Sequence, residues 1–211
     1  MFGVRSSTIA RRGLVIAAAG VVAGLLGSGI ASASVPVDNF LNWHGTFPII
    51  GNLDPITTET VTTLPSPVTV GVQSAAFPVS VKVTAPALAG TGLRDVQAAT
   101  LIGTATVTVS GVDSAGQTYT EAVTLTIPST PTPAAGAPLT FTATGTAYIP
   151  AIAHAGSGTI SVSAASTTLD PKKADGTDTV LHTFTVALTK DTAGPSQNPT
   201  NNATLGTIVA Q

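Results

Sequence analysis

The sequence has no cysteine, few charged residues and few aromatic residues, and each scarcity excludes a class of function. Without cysteine, the 211-residue chain cannot form a disulfide, a thiolate metal site or a catalytic thiol. Charged residues make up 9% of the chain, against roughly 25% in ordinary soluble domains. Aromatic residues make up 4%, which is few for a surface that binds carbohydrate by ring stacking.

The chain also lacks the excess of basic residues that nucleic-acid binding requires. After position 33, five basic residues face ten acidic residues, so the net charge is about −5 at neutral pH. We therefore expect no nucleic-acid partner. Polarity comes from threonine instead, which fills 35 of the 178 positions after residue 33 and both favours strands and presents a hydroxyl to water.

The first 33 residues have the pattern of a cleaved secretory signal peptide. Three arginines precede an apolar run over residues 14–26, and Ala31 and Ala33 follow at the spacing of a cleavage site. We expect cleavage after Ala33, so that the mature chain begins at Ser34. Cleavage would leave a protein without a membrane segment, either secreted, extracellular or associated with the cell envelope.

Two alternatives concern this leader. Residues 14–33 just reach the roughly 20 residues that span a bilayer, although their Gly, Ser and Ala content disfavours an uncleaved anchor. The pair Arg11-Arg12 leaves the export route open between the general and the twin-arginine pathways.

Residues 100–128 have the strongest strand pattern in the chain. Apolar residues alternate with threonine and serine on both sides of the link Asp113-Ser114-Ala115-Gly116-Gln117. This pattern predicts a β-hairpin with Gly116 at positive φ. The register that keeps the apolar faces together has the cross-strand pairs Val107–Val123, Ala105–Leu125 and Val109–Glu121.

Short alternating runs separated by proline and glycine fill the rest of the chain. We predict an all-β fold in which two packed antiparallel sheets form an immunoglobulin-like β-sandwich. The sandwich is predicted to be a single domain over residues 45–211, preceded by an irregular lead-in over residues 34–44. The runs on which this prediction rests are 45–51, 56–64, 77–84, 100–128, 139–143, 156–163, 167–171, 180–188 and 205–209.

Residues 86–99 alone break the strand rhythm. Their apolar spacing is loose, and Gly90 and Gly92 lower the helix propensity. We therefore expect at most one short helical turn, capping an end of the sandwich.

Three segments carry distinctive motifs: Thr46–Gly51 (TFPIIG), Leu125–Thr130 (LTIPST) and Leu169–Gly176 (LDPKKADG). In this order and spacing they resemble a family of secreted actinobacterial β-sandwich domains of unknown function. The resemblance covers nearly all of the chain after residue 33. It implies an immunoglobulin-like sandwich outside the cell, and it supplies neither an activity nor catalytic residues.

The resemblance also implies a pair of cysteines that this sequence lacks. One would directly precede the TFP motif and the other would lie in a strand near the end, at the positions of Gly45 and Leu188. The absence of both cysteines together is expected if the disulfide is dispensable. Its loss removes a loop constraint worth roughly 2–4 kcal/mol of stability.

Asp170, Asp175 and Asp178, with Gly176, form the one acidic cluster in the sequence. Calcium binds carboxylate and backbone oxygens in loops of this sort. However, the alternating carboxylates of a helical calcium loop are missing, and two lysines lie inside the cluster. A solvated hairpin turn is favoured, with a calcium site as the alternative, and we expect no cofactor.

Histidine and serine form no recognisable catalytic pattern. His44, His154 and His182 are far apart in sequence, and none has a partner at metal-ligand spacing. Ser157 lies between glycines but lacks the spacing of a nucleophile elbow, so a turn explains it better. We therefore expect no enzyme. A hydrolase would require His154, His182 and an acidic residue to converge.

These observations predict a non-catalytic, secreted or envelope-associated β-sandwich with a structural, adhesive or interaction role. Sheet edges expected near Thr46–Ile50 and Leu205–Val209 would let an envelope protein bind by strand addition. The alternative is a module that binds calcium or a cell-wall glycan. The aromatic residues suited to a sugar are Trp43, Tyr119 and Tyr148, although Trp43 is better explained as a residue that fills one end of the core.

Overall fold

Alternating apolar and threonine-rich segments form nine β-strands in the computed structural model, which describes residues 34–211. The expected leader, with Ala31 and Ala33 of its cleavage site, lies outside the described residues. One helix accompanies the strands, and no helix in the described part of the chain is long and apolar enough to cross a membrane. The elements are β1 (Ser34–Phe47), β2 (Gly51–Pro65), β3 (Phe77–Ala85), α1 (Ala87–Asp95), β4 (Thr100–Val112), β5 (Thr118–Pro131), β6 (Leu139–Ala147), β7 (Gly156–Lys172), β8 (Phe184–Lys190) and β9 (Thr204–Ala210).

Eight of the strands close into an antiparallel barrel. Going round the barrel, the order is β1, β2, β3, β6, β5, β4, β7 and β8, and β8 pairs with β1 again. The closure depends on β4, because every residue from Thr100 to Val112 also has a partner on β7. Gly103 permits this contact, since a Cβ there would lie 2.1 Å from the carbonyl oxygen of Thr168.

The all-β expectation is confirmed, but the two-sheet immunoglobulin-like sandwich is not. A sandwich has four open sheet edges, whereas here the β4–β7 ladder joins the two ends of one sheet. Strand periodicity shows which face of each strand is buried, and it carries no information about which strand lies beside which.

The last strand, β9, lies outside the barrel order. It pairs with the first part of β7, from Gly156 to Ser161, while β8 pairs with β7 from Ala165 to Leu169. The long strand β7 therefore holds two short strands in succession along one edge.

Residues 34–44 are not an irregular lead-in. They belong to β1, which pairs residue by residue with β2 from Ser34 opposite Pro65 to Trp43 opposite Ile56. Tertiary pairing overrides the weak local pattern, because Val37, Leu41 and Trp43 are buried. The strand-paired domain therefore begins at Ser34 and extends beyond the expected bounds of 45–211.

The expected register of the β4–β5 hairpin is confirmed. Gly116 has φ of +80°, as the turn requires. Leu125 is 1% exposed, and the outward-facing Thr124 and Thr126 are exposed. The three predicted cross-strand pairs, Val107–Val123, Ala105–Leu125 and Val109–Glu121, are all present.

The helix is longer than the expected single turn, since α1 extends over nine residues. Gly90 and Gly92, which lower its propensity, also let it pack closely. A Cβ on Gly90 would lie 2.6 Å from the Pro133 ring, and one on Gly92 would lie 2.6 Å from the Ile50 side chain. Packing against the end of the barrel therefore outweighs the loss of about 1 kcal/mol per glycine in propensity.

The run expected at 180–188 begins later than its pattern indicates. Strand β8 starts at Phe184, whereas His182 has φ of +50° in a turn and Val180 is 76% exposed. The alternation of apolar and polar residues continues before Phe184 although the strand does not. His182 is therefore not buried, even though it is in phase with Phe184 and Val186.

The positions that the resemblance associates with cysteine are in contact. A Cβ built on Gly45 would lie 2.9 Å from Cδ2 of Leu188. Gly45 lies at a register shift in β1, and Leu188 lies in β8, which is the next strand round the barrel.

We predict that the double variant Gly45→Cys/Leu188→Cys forms a disulfide between β1 and β8. Replacing Leu188 removes one of the two side chains that a Cβ at position 45 would meet, the other being Val186 at 2.9 Å. The new loop constraint should raise the free energy of unfolding by up to about 2–4 kcal/mol. Guanidinium denaturation with and without reductant measures the gain. The single variant Gly45→Cys is the control, and it should be less stable than wild type because Leu188 remains. A double variant that keeps two free thiols would contradict the placement.

Candidate functional site

The barrel interior contains two apolar cavities. The first, here called the mouth cavity, extends from Val107 past Val109 to Val112 and Tyr119 and has a volume of about 60 Å³. The second, the deep cavity, extends towards Leu101 and Ala89 of α1 and has a volume of about 70 Å³. Each has room for more than one water molecule. The two cavities share the lining residues Val81, Val107 and Leu125, which we call the waist.

Small inward-facing side chains leave this space open. An eight-stranded barrel is just wide enough to be filled by large side chains or to hold one small ligand. Here β4 supplies Ala105, Val107 and Val109 to the interior, and β6 supplies Ala143 and Ala147. Val107 and Val109 point inward and yet are only partly buried, which shows that space is accessible beside them.

Three threonines of β2 also face the interior. Thr58, Thr60 and Thr62 share parity with the buried Ile56 and Leu64 and are themselves buried. Thr58 accepts a hydrogen bond from the Trp43 indole at 3.0 Å, and Thr62 donates to the carbonyl oxygen of Pro78 at 2.7 Å. The methyl groups of all three, and the partnered hydroxyls of Thr58 and Thr62, keep the wall largely apolar. In the sequence, these threonines lie at every second position between the apolar residues Ile56 and Leu64, and this pattern predicts that they point inward.

The mouth cavity reaches the surface between β5 and the chain that follows β6. Backbone pairing between these strands is limited to Leu125–Gly145 and Thr126–Thr144. Beyond Gly145 the wall is formed by side chains instead, including Tyr148 at 39% exposure. Val112, at the tip of the hairpin, is 40% exposed and also lines this cavity. The opening therefore has an apolar rim.

Glu121 is the carboxylate at this opening. It shares the inward parity of Val123 and Leu125 on β5, lies opposite Val109 on β4 and lines the mouth cavity. A hydrogen bond with Glu121 and the negative charge of that carboxylate raise the pKa of Tyr148, while a hydrogen bond with Gln73 works in the opposite direction. Glu121 and Tyr148 thus form a polar pair at the entrance of an apolar cavity.

The segment 148–155 covers part of the mouth cavity, and we call it the cover segment. The hairpin turn fastens one end, because the Tyr119 hydroxyl accepts from the amide of Ala153 at 2.9 Å and Ser114 donates to the carbonyl oxygen of Ala155 at 2.6 Å. At its other end, the amide of Ile149 donates to the Ser74 hydroxyl at 2.8 Å.

Asp113 is the hub of this attachment, and its side chain is 1% exposed. One carboxylate oxygen accepts from the amides of Ala115 and Gln117 at 3.0 and 2.8 Å. The other accepts from the Tyr119 hydroxyl at 3.1 Å and lies 2.8 Å from Nδ1 of His154. Burial alone would raise the pKa of Asp113, but the hydrogen bonds from His154, Gln117, Tyr119 and Ala115 outweigh it and lower that pKa to about 2.

The three histidines do not converge, because each pairs with a different aspartate. His44 contacts Asp191, and His154 contacts Asp113. The ring of His182 lies 3.5 Å from Asp178, and its side chain is 73% exposed. The arrangement that a hydrolase would require is therefore not brought together by the described residues.

The acidic cluster surrounds a lysine. Nζ of Lys172 lies 2.8 Å from Asp170 and also contacts Asp178, so its ammonium lies between these two carboxylates. Asp175 instead accepts from the amide and hydroxyl of Thr177 within the turn. Among residues 34–211, no group of three or more His, Cys, Asp or Glu side chains could hold a metal ion.

The aromatic residues are also separated. Trp43 is 3% exposed and belongs to the core, whereas Tyr119 and Tyr148 line the mouth cavity. Ser157 lies in β7 opposite Val209, not in a turn.

The two sheet edges expected to be open differ in how far they are covered. Strand β8 pairs with β1 only at Trp43 and His44, just before Thr46–Ile50, where Thr46 and Ile49 are exposed. Along Leu205–Val209, the carbonyl oxygen of Val209 accepts from the amide of Val68 at 2.8 Å, and its amide donates to the Ser66 hydroxyl at 3.1 Å.

Residues 42–206 match a family of unknown function, DUF6801. The chain belongs to the DUF6801 family. The match begins within β1, ends within β9 and includes every residue that lines either cavity of this DUF6801 domain except Ile208. Neither the curated proteins nor the solved structures contain a match to the chain.

The hub role of Asp113 was missed in the sequence of this DUF6801 domain. An aspartate at the first position of a turn is a known cap for following amides, and this chemistry could have been recognised. The contact of Asp113 with His154 could not, because it depends on the return of the chain 41 residues later.

We predict that Asp113→Asn destabilises the domain at pH 5 and that the difference from wild type shrinks in acid. The folded-state pKa of Asp113 lies below its ordinary value of 3.8, so its stabilisation is fully present above that value and is lost as the pH falls towards 2. Urea denaturation of both proteins between pH 5 and pH 2 measures this. Asp38→Asn, on an exposed residue of β1, is the control. A gap that stays constant down to pH 2 would show that the charge of Asp113 is not what fastens the turn.

Proposed function

We propose that this domain is a secreted or envelope-associated, non-catalytic binding protein whose binding site is the barrel interior. The single observation that supports the proposal most is the mouth cavity. It is apolar along most of its wall and reaches the surface between β5 and Tyr148. Small interior side chains leave space where leucine or phenylalanine would have filled the barrel.

Burial explains why an apolar molecule would bind there. Each square ångström of apolar surface removed from water contributes about 25 cal/mol, and both the ligand and the cavity wall contribute such surface. The hydrogen bonds of Val209 weigh against strand addition at β9, since that mode of partner binding requires free backbone groups. We therefore assign the interaction role to the interior rather than to the edge of β9.

The separation of the histidines supports the non-catalytic part of the proposal. A nucleophile, a base and an orienting group must lie within hydrogen-bond reach of one another. The described histidines instead each pair with a carboxylate at a different place on the molecule. Calcium binding has weak support, because the ammonium of Lys172 lies where a cation would have to bind between Asp170 and Asp178.

We predict that the purified protein binds Nile red, an uncharged apolar dye, and that Val107→Phe weakens this binding by about tenfold or more. Phenylalanine at the waist would fill space that both cavities share. Fluorescence titration measures the dissociation constant. The matched control is Val61→Phe on the outer face of β2, where Val61 is 48% exposed.

The control variant should bind the dye as wild type does. Equal loss of affinity in both variants, or dye binding that neither variant changes, would contradict a site inside the barrel. Circular dichroism of each variant shows that the barrel remains folded.

A further inference from the structure

The two cavities differ in polarity from one end to the other. The deep cavity is lined almost entirely by aliphatic and aromatic side chains, together with the small residues Thr58, Ser166 and Thr167. The lining of the mouth cavity is more polar, since it includes Glu121 and Tyr148 at the opening as well as buried threonines of β2. A ligand that satisfies both regions has an apolar part and a polar end.

The charge at the opening has one sign. Glu121 lines the mouth cavity on the inward parity of β5. Asp113, the other acidic residue of the lining, has both carboxylate oxygens occupied by the turn and by His154. Neither lysine nor arginine occurs among the described residues that line either cavity. A positive side chain that could pair with a bound anion is therefore missing from this wall.

We propose that the barrel takes an amphiphile whose apolar chain lies along the interior past the waist and whose head group, at Glu121 and Tyr148, is uncharged or cationic. This inference rests on the proposed function and specifies the ligand class of the same site. A carboxylate or phosphate head would be desolvated beside Glu121 without a counter-ion, which is unfavourable. A hydroxyl head could donate a hydrogen bond to the Glu121 carboxylate, and a cationic head would be attracted by the charge of that carboxylate.

The experiment compares three amphiphiles with the same chain, namely decanol, decyltrimethylammonium and decanoate. Each is titrated at pH 8, below its critical micelle concentration, into the protein loaded with Nile red, and dye displacement gives its affinity. We expect decanol and decyltrimethylammonium to displace the dye, and decanoate to bind about tenfold more weakly or worse.

Two variants assign the selectivity to Glu121. Glu121→Gln should strengthen decanoate binding, weaken decyltrimethylammonium binding and leave decanol nearly unchanged. The matched control is Glu59→Gln. Glu59 pairs with Lys82 at 3.6 Å and is not among the residues that line the mouth cavity. Tyr148→Phe removes the hydroxyl but no charge, and should leave the exclusion of decanoate in place.

The outcomes separate this inference from the proposed function. Decanoate binding as tight as decanol, or selectivity that Glu121→Gln does not change, would overturn the assignment of the head group while leaving an apolar site. Absence of any binding by the dye and by all three amphiphiles would instead overturn the proposed function.

Discussion

The ladder between β4 and β7 is the interaction on which the architecture depends. It joins the whole length of β4, and with it the hairpin β4–β5, to β7, which is the longest strand among the described residues. Without it, the same strands would form one open sheet with free edges at β4 and β9. Closure gives β4 two hydrogen-bonded edges and turns one face of every barrel strand towards a common interior. The close approach at Gly103 shows how little room this contact leaves.

Closure also determines what the interior can be. Two packed sheets can approach until their side chains interdigitate, whereas a closed barrel of eight strands has a width set by strand number and tilt. Small side chains such as Ala105, Val107 and Ala143 therefore leave space that the backbone cannot close. The helix α1 seals the deep end, and the cover segment, fastened by Asp113, lies over part of the other. The cavity and its opening are consequences of closure combined with small residues.

Local features could be predicted from the sequence, and features that depend on distant partners could not. The hairpin register was predictable because alternation and turn chemistry act within 29 residues. Strand β1 was missed because its burial depends on β2 and β8, and α1 was underestimated because Gly90 and Gly92 are explained only by Pro133 and Ile50. The inward parity of Glu121 was visible, but its position at an opening was not.

The candidate site illustrates the same limit. The acidic cluster at 170–178 is the most conspicuous polar feature of the sequence, yet a lysine lies between two of its carboxylates. The apolar cavity comes from seven strands and their connections, each contributing a few unremarkable aliphatic residues. Contributions of this kind become a site only after the barrel closes.

The most direct test of an apolar site inside a closed barrel is methyl NMR with a decyl alcohol that carries a nitroxide at the end of its chain. The account predicts that the waist methyl groups of Val81, Val107 and Leu125 broaden more strongly than those of the outward Val61. Broadening that is as strong or stronger at exposed residues such as Val61 and Val180 would contradict it.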